Sequence, residues 1–233
     1  MKEMNALPKK IAVLMGGPGS ERDVSLATAR GVAKALRSRG AEVFEIDVRD
    51  ENFELPKDID LAFLAIHGTF GEDGQLQQIL ENRGVPYTGD GVEQSRTAFD
   101  KIESKKRFEA AGITTPRWQV IDANEKPTLP VPLVIKAPRQ GSTVGVYIIK
   151  EAGKLETVLA EARKFDRQLL VEEFVPGREL TIGILGDQAL PILEILRSFP
   201  KAAFTISPTS IHFSTRKPAA ARNMFVRRKL KRN

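Results

Sequence analysis

The sequence predicts an α/β protein, with a parallel-sheet domain followed by an antiparallel sheet-and-helix region. Three observations carry this. Apolar runs of strand length alternate with segments of helical period up to about residue 90. Beyond that point, apolar runs face one another across short polar loops, the pattern of antiparallel pairing. The hydrophobic fraction, 41% of 233 residues, is that of a globular chain with a real core.

Each element has its own signal. "KKIAVLMGG" reads as a buried strand over residues 11–15, closed by glycines. A helix is expected over about residues 24–39, with Val24, Ala27, Val32, Ala35 and Leu36 on one face. Strands follow at 42–48, "EVFEIDV", and 60–66, "DLAFLAI". "GQLQQILENRG" is a helix stopped by Gly84. A single helix over about 94–111 opens the second region. The strands "PLVIKAP" and "GVYIIK" flank the loop "RQGST", and "AGKLETVLAEARKF" is a helix. "QLLVEEFV", "ELTIGIL" and "QALPILEIL" complete the strands. The expected domains are therefore 1–95 and 96–197. No internal repeat is visible.

Composition narrows the function classes. There are no cysteines, which excludes disulfides, thiolate metal sites and a cysteine nucleophile. No apolar run reaches membrane-spanning length, so no membrane role is expected. "MKEMNALPKK" has no apolar stretch of a secretory signal, and a cytoplasmic setting is expected. The formal net charge of +6 suggests a basic protein, but residues 198–233 hold nine Lys or Arg and no acid. The first 197 residues carry 27 basic and 30 acidic groups. A nucleic-acid binder usually carries its basic face on the folded body, so nucleic acid is a disfavoured partner. Residues 198–233 show no sustained period and are expected to lack stable structure.

Four loops carry candidate chemistry. "GGPGSERDVSL" follows the first strand, but it is neither a Rossmann fingerprint nor a P-loop. Its Glu21 is suited to an ammonium group, or simply to the helix N-terminus behind it. "HGTFGEDGQLQ" places His67 just past a strand end, where open α/β sheets bind ligands. If the first and third strands are neighbours, the ends at Gly16 and His67 share one crevice. "VIKAPRQGSTVGV" puts Lys136 on a strand before a Gly-Ser-Thr loop, a flap able to close on phosphates. "LVEEFVPGREL" ends a strand with acids suited to a nucleoside, or to a solvated edge.

Taken in order, "GG..SER.VSL", "HG.FGEDG.LQ..LE", "PYTG.GV..S...DK..SK", "K....GS.VG" and "VEEFV.GREL" resemble the D-alanine–D-alanine ligase family of the ATP-grasp superfamily. The match runs from about residue 9 to 196. It implies an ATP-grasp α+β domain, incomplete here, after the parallel domain. It also implies ATP-dependent joining of two D-alanines through a D-alanyl phosphate, for peptidoglycan synthesis, with Mg2+ or Mn2+. By resemblance, Glu21 and Ser142 are catalytic, with Ser142 hydrogen-bonded towards Glu21. Val24 and His67 would line the first D-alanine subsite. Lys101 and Lys136 would meet ATP phosphates. Glu172, Phe174 and Val175 would surround adenine, and Glu179 would bind ribose. A homodimer is compatible with the resemblance. The alternatives are a D-alanine–D-lactate ligase, or a non-catalytic nucleotide- or nucleic-acid-binding protein that uses the basic tail.

The sequence departs from the family in three places. The flap strand reads "KAP" where Lys-Pro is usual, and the loop has Gly-Ser-Thr for Gly-Ser-Ser, which keeps the hydroxyl. Family members also continue for about another hundred residues, an ordinary domain-sized length, and that part supplies the metal-binding acids. No metal ligand is therefore assigned here, and no acid follows Glu194. Reading each codon of the tail from the third base of the preceding one forces Val from Met224-Phe225. It allows "HVCPAQVEAE" over the end of the chain, a string similar to the family's own sequence. The expectation is a frameshift near residues 198–201, with the basic tail as its by-product and a truncated chain that does not itself form the dipeptide.

Overall fold

The computed structural model describes residues 8–197 and 211–214. The chain packs as two units, one ending at Phe174 and one starting at Val175.

The first unit begins with a parallel three-stranded sheet in the order β2-β1-β3. Its strands are β1 (Lys10–Gly16), β2 (Glu42–Val48) and β3 (Leu61–Leu64). Strand β1 is central, with Ile11 opposite both Val43 and Leu61. Residues 11–14 are wholly buried, because β1 is covered on both faces. Its side chains alternate between two cores. Ile11 and Val13 pack with Ala29, Ala33 and Ala65, while Ala12 and Leu14 pack with Val48, Ile66, Leu76 and Leu80. Ala29 and Ala33 belong to helix α1 (Arg22–Ser38), and their small side chains let the helix lie close on the sheet. Leu76 and Leu80 belong to helix α2 (Gln75–Asn82), and Gly84 beyond it has φ 66°, as expected of a helix-ending glycine.

The single helix expected over 94–111 is two helices, α3 (Val92–Phe99) and α4 (Lys101–Ala110). Asp100 divides them. Its backbone is extended, and its carboxylate accepts from the N–H groups of Ile102 at 2.9 Å and Glu103 at 3.3 Å. An aspartate that satisfies the first donors of a new helix outcompetes continuation of the old one.

The second sheet of this unit is antiparallel, in the order β4-β7-β5-β6. Strands β5 (Leu133–Lys136), β6 (Val146–Ile149) and β7 (Leu169–Glu173) lie where expected. Strand β4 (Trp118–Ile121) was not anticipated, since its short apolar signal follows a proline and ends at Asp122. One face packs Ile121, Leu133, Ile135 and Val171 on Leu159 and Ala162 of helix α5 (Leu155–Ala162). A 3-10 turn, Ala152–Lys154, leads into α5. The expected boundary near residue 95 falls in α3, between the two sheets. Both sheets nevertheless pack within one unit.

In the second unit the two long strands expected are four short ones. Strands β8 (Leu180–Thr181) and β9 (Ile184–Leu185) are parted at Ile182 and Gly183, and β10 (Gln188–Ala189) and β11 (Leu193–Arg197) around Pro191. Gly186, with φ 60°, makes the tight β9–β10 turn. The expectation for residues 198–233 lies outside the described residues, apart from Ile211–Ser214. Contrary to it, these four residues form strand β12, antiparallel to β11 with Ile211 opposite Arg197. The alternating "IHFS" suits the open edge that β11 offers. Among the described residues, no helix is long and apolar enough to cross a membrane.

Replacing Asp100 with Ala is expected to cost about 0.5–2 kcal/mol, the usual range for losing a helix N-cap. Urea unfolding of the two proteins measures it.

Candidate active site

The crevice is set at the C-terminal ends of β1 and β3. Ser25, wholly buried on α1, accepts from the Gly16 N–H at 2.8 Å and donates to the Ala65 carbonyl at 2.6 Å. One hydroxyl therefore ties the two strand ends to the helix between them. Glu21 occupies the N-cap position of α1 but makes no side-chain capping hydrogen bond. Its carboxylate instead faces the loop after β3. A Cβ on Gly68 would collide with Glu21 Oε2, and Gly68 also has φ 68°, a region that disfavours any side chain.

His67 stands beside this pair. Its Nε2 lies 3.0 Å from Thr28 Oγ1, and its Nδ1 lies 3.6 Å from Glu72 Oε1. Val24, one turn along α1, is 40% exposed. The loop holding Glu72 is internally braced, with Asp73 accepting from the Phe70 N–H at 2.9 Å and the Gln75 N–H at 3.1 Å. Burial raises the Glu21 carboxyl above its ordinary value and the charge of Glu72 raises it further, against a smaller opposing effect of His67. A cation brought to Glu21 would relieve both.

The flap between β5 and β6 reaches this carboxylate. Gly141 is packed so tightly that a Cβ there would collide with Glu21 Oε2 and stand 3.1 Å from Gly68 Cα. Two glycines thus sandwich one carboxylate oxygen. Ser142, the residue singled out from sequence, is exposed with φ 52°. Among the described residues no hydrogen bond joins Ser142 to Glu21, and the flap's contact there comes from its neighbour Gly141. The root of the flap is pinned to the start of α4. The Lys101 N–H donates to the Pro138 carbonyl at 3.1 Å, and Lys101 Nζ donates to the Gln140 carbonyl at 2.5 Å. Arg139 reaches Asp100 at 3.5 Å and Asp166 at 2.7 Å.

Behind the flap lies a cluster of charge. Glu172 on β7 is buried, and its two oxygens pair with Lys105 of α4 and Lys136 of β5. Burial pushes this carboxyl up, but the hydrogen bonds from Lys105 and Lys136 outweigh it and hold the group below its ordinary value. Lys101 is lowered, first by burial and then by the charge of Lys136, with Asp100 and Glu172 partly opposing. Phe174 is half-buried, and its N–H donates to the Pro132 carbonyl at 3.2 Å. Val175 and Glu179 belong to the second unit. There Val175 is 61% exposed, and the Glu179 carbonyl accepts from the Ile195 N–H at 2.8 Å.

The first unit thus brings together Glu21, His67, Lys101, Lys136 and Glu172. Sequence reasoning missed Gly68, Gly141 and Lys105. The signal for Lys105 was present, because "DKIESK" places it four residues after Lys101 on the same helix face. The signal for the glycines was not, since a close approach between segments 73 residues apart in sequence is a tertiary fact. A separate cleft of about 640 Å³, lined by Thr69, Asp73, Arg96, Arg107 and Arg139 among others, includes none of the charged cluster around Glu172. Among the described residues no group of three or more His, Asp or Glu side chains is placed to hold a metal ion. The metal ions that the resemblance implies find no such set of ligands among the described residues.

Gly141→Ala should push the flap off Glu21 while leaving both cores intact, read as faster amide hydrogen exchange confined to residues 138–146. Glu172 has a folded-state pKa below the ordinary 4.5, so its ionisation stabilises the fold above that value, and the benefit is lost as pH falls through the folded pKa. The stability advantage of the wild type over Glu172→Gln should therefore be full at neutral pH and shrink below pH 4.5, as urea unfolding at several pH values would report.

Known proteins share this arrangement of elements. The sequence profile described as D-ala D-ala ligase N-terminus matches residues 41–90, and that described as D-ala D-ala ligase C-terminus matches residues 106–209. The chain is 45% identical over 199 residues to the D-alanine–D-alanine ligase of Methylacidiphilum infernorum, covering 85% of this chain and 65% of that protein. It is 44% identical over 209 residues to that of Syntrophotalea carbinolica, covering 88% of this chain and 68% of the relative. The crystal structure of the Bacillus anthracis D-alanine–D-alanine ligase complexed with ATP superposes with a TM-score of 0.73 at 32% identity, over 83% of this chain and 68% of that one. The chain therefore spans about two thirds of the length of these proteins. With a parallel domain leading into the antiparallel sheet of an ATP-grasp fold, matched at this identity, it belongs to the D-alanine–D-alanine ligase family.

Proposed function

We propose that this chain carries the first-substrate subsite and part of the nucleotide site of an ATP-dependent ligase that forms D-alanyl-D-alanine. The observation that carries the reading is the flap. It is held at Gln140 by Lys101 and presses Gly141 onto Glu21, so that the lysine cluster and the isolated carboxylate serve one crevice.

In this reading, residues 1–95 supply the amino-acid subsite and residues 96–197 the nucleotide side. Glu21 pairs with the ammonium of the first D-alanine, beside Val24 and His67. That ammonium would offset the burial and the Glu72 charge that raise the Glu21 carboxyl. Lys136 and Lys101 meet the ATP phosphates. Glu172 and Phe174 lie on the adenine side. The γ-phosphoryl group passes to a carboxylate oxygen of the first D-alanine, giving ADP and an acyl phosphate. The amine of the second D-alanine then attacks the acyl carbon. Its proton is lost and phosphate departs with the bridging oxygen. Positioning and charge stabilisation do most of this work. Ser142, at the flap tip, is placed to orient the reacting groups once the flap settles on ligand.

Binding experiments on the purified chain test the reading. Glu21→Gln removes the charge that holds an ammonium, and is expected to weaken D-alanine binding by about 1.5–3 kcal/mol, the scale of a charge-assisted hydrogen bond, with ATP binding unchanged. Lys136→Ala should do the reverse. Calorimetry with each ligand separates the two, and equal loss of both ligands in both variants would refute the division of the crevice.

A further inference from the structure

Lys105 has no part in the reading above, yet among the described residues it is one of the most buried charges, with 5% of its side chain exposed. Its ammonium has three N–H donors and uses all of them. They go to Thr115 Oγ1 at 2.5 Å, to the Pro116 carbonyl at 3.0 Å and to Glu172 Oε1. It therefore has no donor left for a ligand. Lys136 is the opposite case. It is 29% exposed, and among the described residues its one partner is the other oxygen of Glu172.

We propose that Lys105 is a positioning residue of the nucleotide site, one that neutralises Glu172 from inside the protein and so leaves Lys136 available to a phosphate-bearing ligand. The inference rests on the nucleotide reading of the crevice. A buried carboxylate must be paired, and a single counter-ion would be held tightly. With only Lys136 present, Glu172 would consume its charge, and a phosphate would have to compete with a buried anion. With Lys105 supplying the balancing charge, the triad of Lys105, Glu172 and Lys136 keeps one net positive charge, on its exposed member. Lys101 adds a second positive charge nearby; its ammonium is lowered first by burial and then by the charge of Lys136. Glu173, the neighbouring acid on β7, accepts its side-chain hydrogen bond from Arg117 Nε at 2.7 Å, and the charge of Lys105 is the smallest of the effects that lower it.

The alternative is that Lys105 only holds α4 against the loop at Thr115. A two-by-two comparison separates the readings, using the whole 233-residue chain as wild type, Lys105→Met, Glu172→Gln and the double variant, with ATP as the calorimetric probe. Lys105→Met is expected to weaken ATP binding about 10- to 100-fold, the scale of a charged hydrogen bond lost beside the site. In the Glu172→Gln background the same change should alter affinity less than about threefold, since sites that act through one partner are not additive. Equal ATP affinity of wild type and Lys105→Met would overturn the proposal. So would the same loss in both backgrounds, the mark of a structural or direct role. If Lys105→Met does not fold, the Glu172→Gln pair decides alone, with equal affinities supporting the proposal and a loss overturning it. No ATP binding by a folded wild type would instead overturn the nucleotide reading, and this inference with it.

Discussion

The carboxylate of Glu172, buried and held between two ammonium groups, is the constraint around which the larger unit is arranged. A carboxylate in that position needs counter-charges from directions fixed by its two oxygens. One comes from α4 and one from β5, so the helix and the sheet are registered on each other at β7. Once α4 is fixed, so is its first residue, Lys101, and through it the carbonyl of Gln140 at the flap root. The flap then has little choice about where Gly141 falls. Geometry at Glu21 thus descends from charge pairing on the far side of the flap.

The two sheets contribute in different ways. The parallel sheet is a packed platform whose central strand is buried on both faces, and it presents loops at its strand ends. The antiparallel sheet offers a long loop between paired strands that reaches across to the platform. Its core lies on the α5 side, while Lys136 is carried at the end of β5, where the flap begins. Rigid platform and reaching loop together let the acid of one sheet be met by the backbone of the other.

Much of this was legible in the sequence, and the failures have physical causes. Strand β1 and helix α1 were readable because a buried parallel strand and an amphipathic helix each leave a local pattern, as did the flap strands flanking "RQGST". Asp100 was read as one polar position in a long helix, because its capping bonds are invisible until the backbone turns extended there. Strand β4 was overlooked, since four residues after a proline carry too little alternation to stand out. Among site residues, those with chemically distinctive side chains were found. Gly141 and Gly68 were not, because their contribution is the absence of a side chain, and only the fold reveals what would occupy that space.

The hydroxyl of Ser25 has a consequence for behaviour in salt. It joins Gly16 to Ala65 through neutral hydrogen bonds sealed from solvent, and so sets the spacing of the loops that bear Glu21 and His67. Mobile ions do not weaken such bonds, whereas they screen the partly exposed pair of Arg22 with Asp47 on the same helix and sheet edge. The spacing of the two strand ends below the crevice is therefore expected to hold as ionic strength rises. The salt sensitivity that remains belongs to the charges within it.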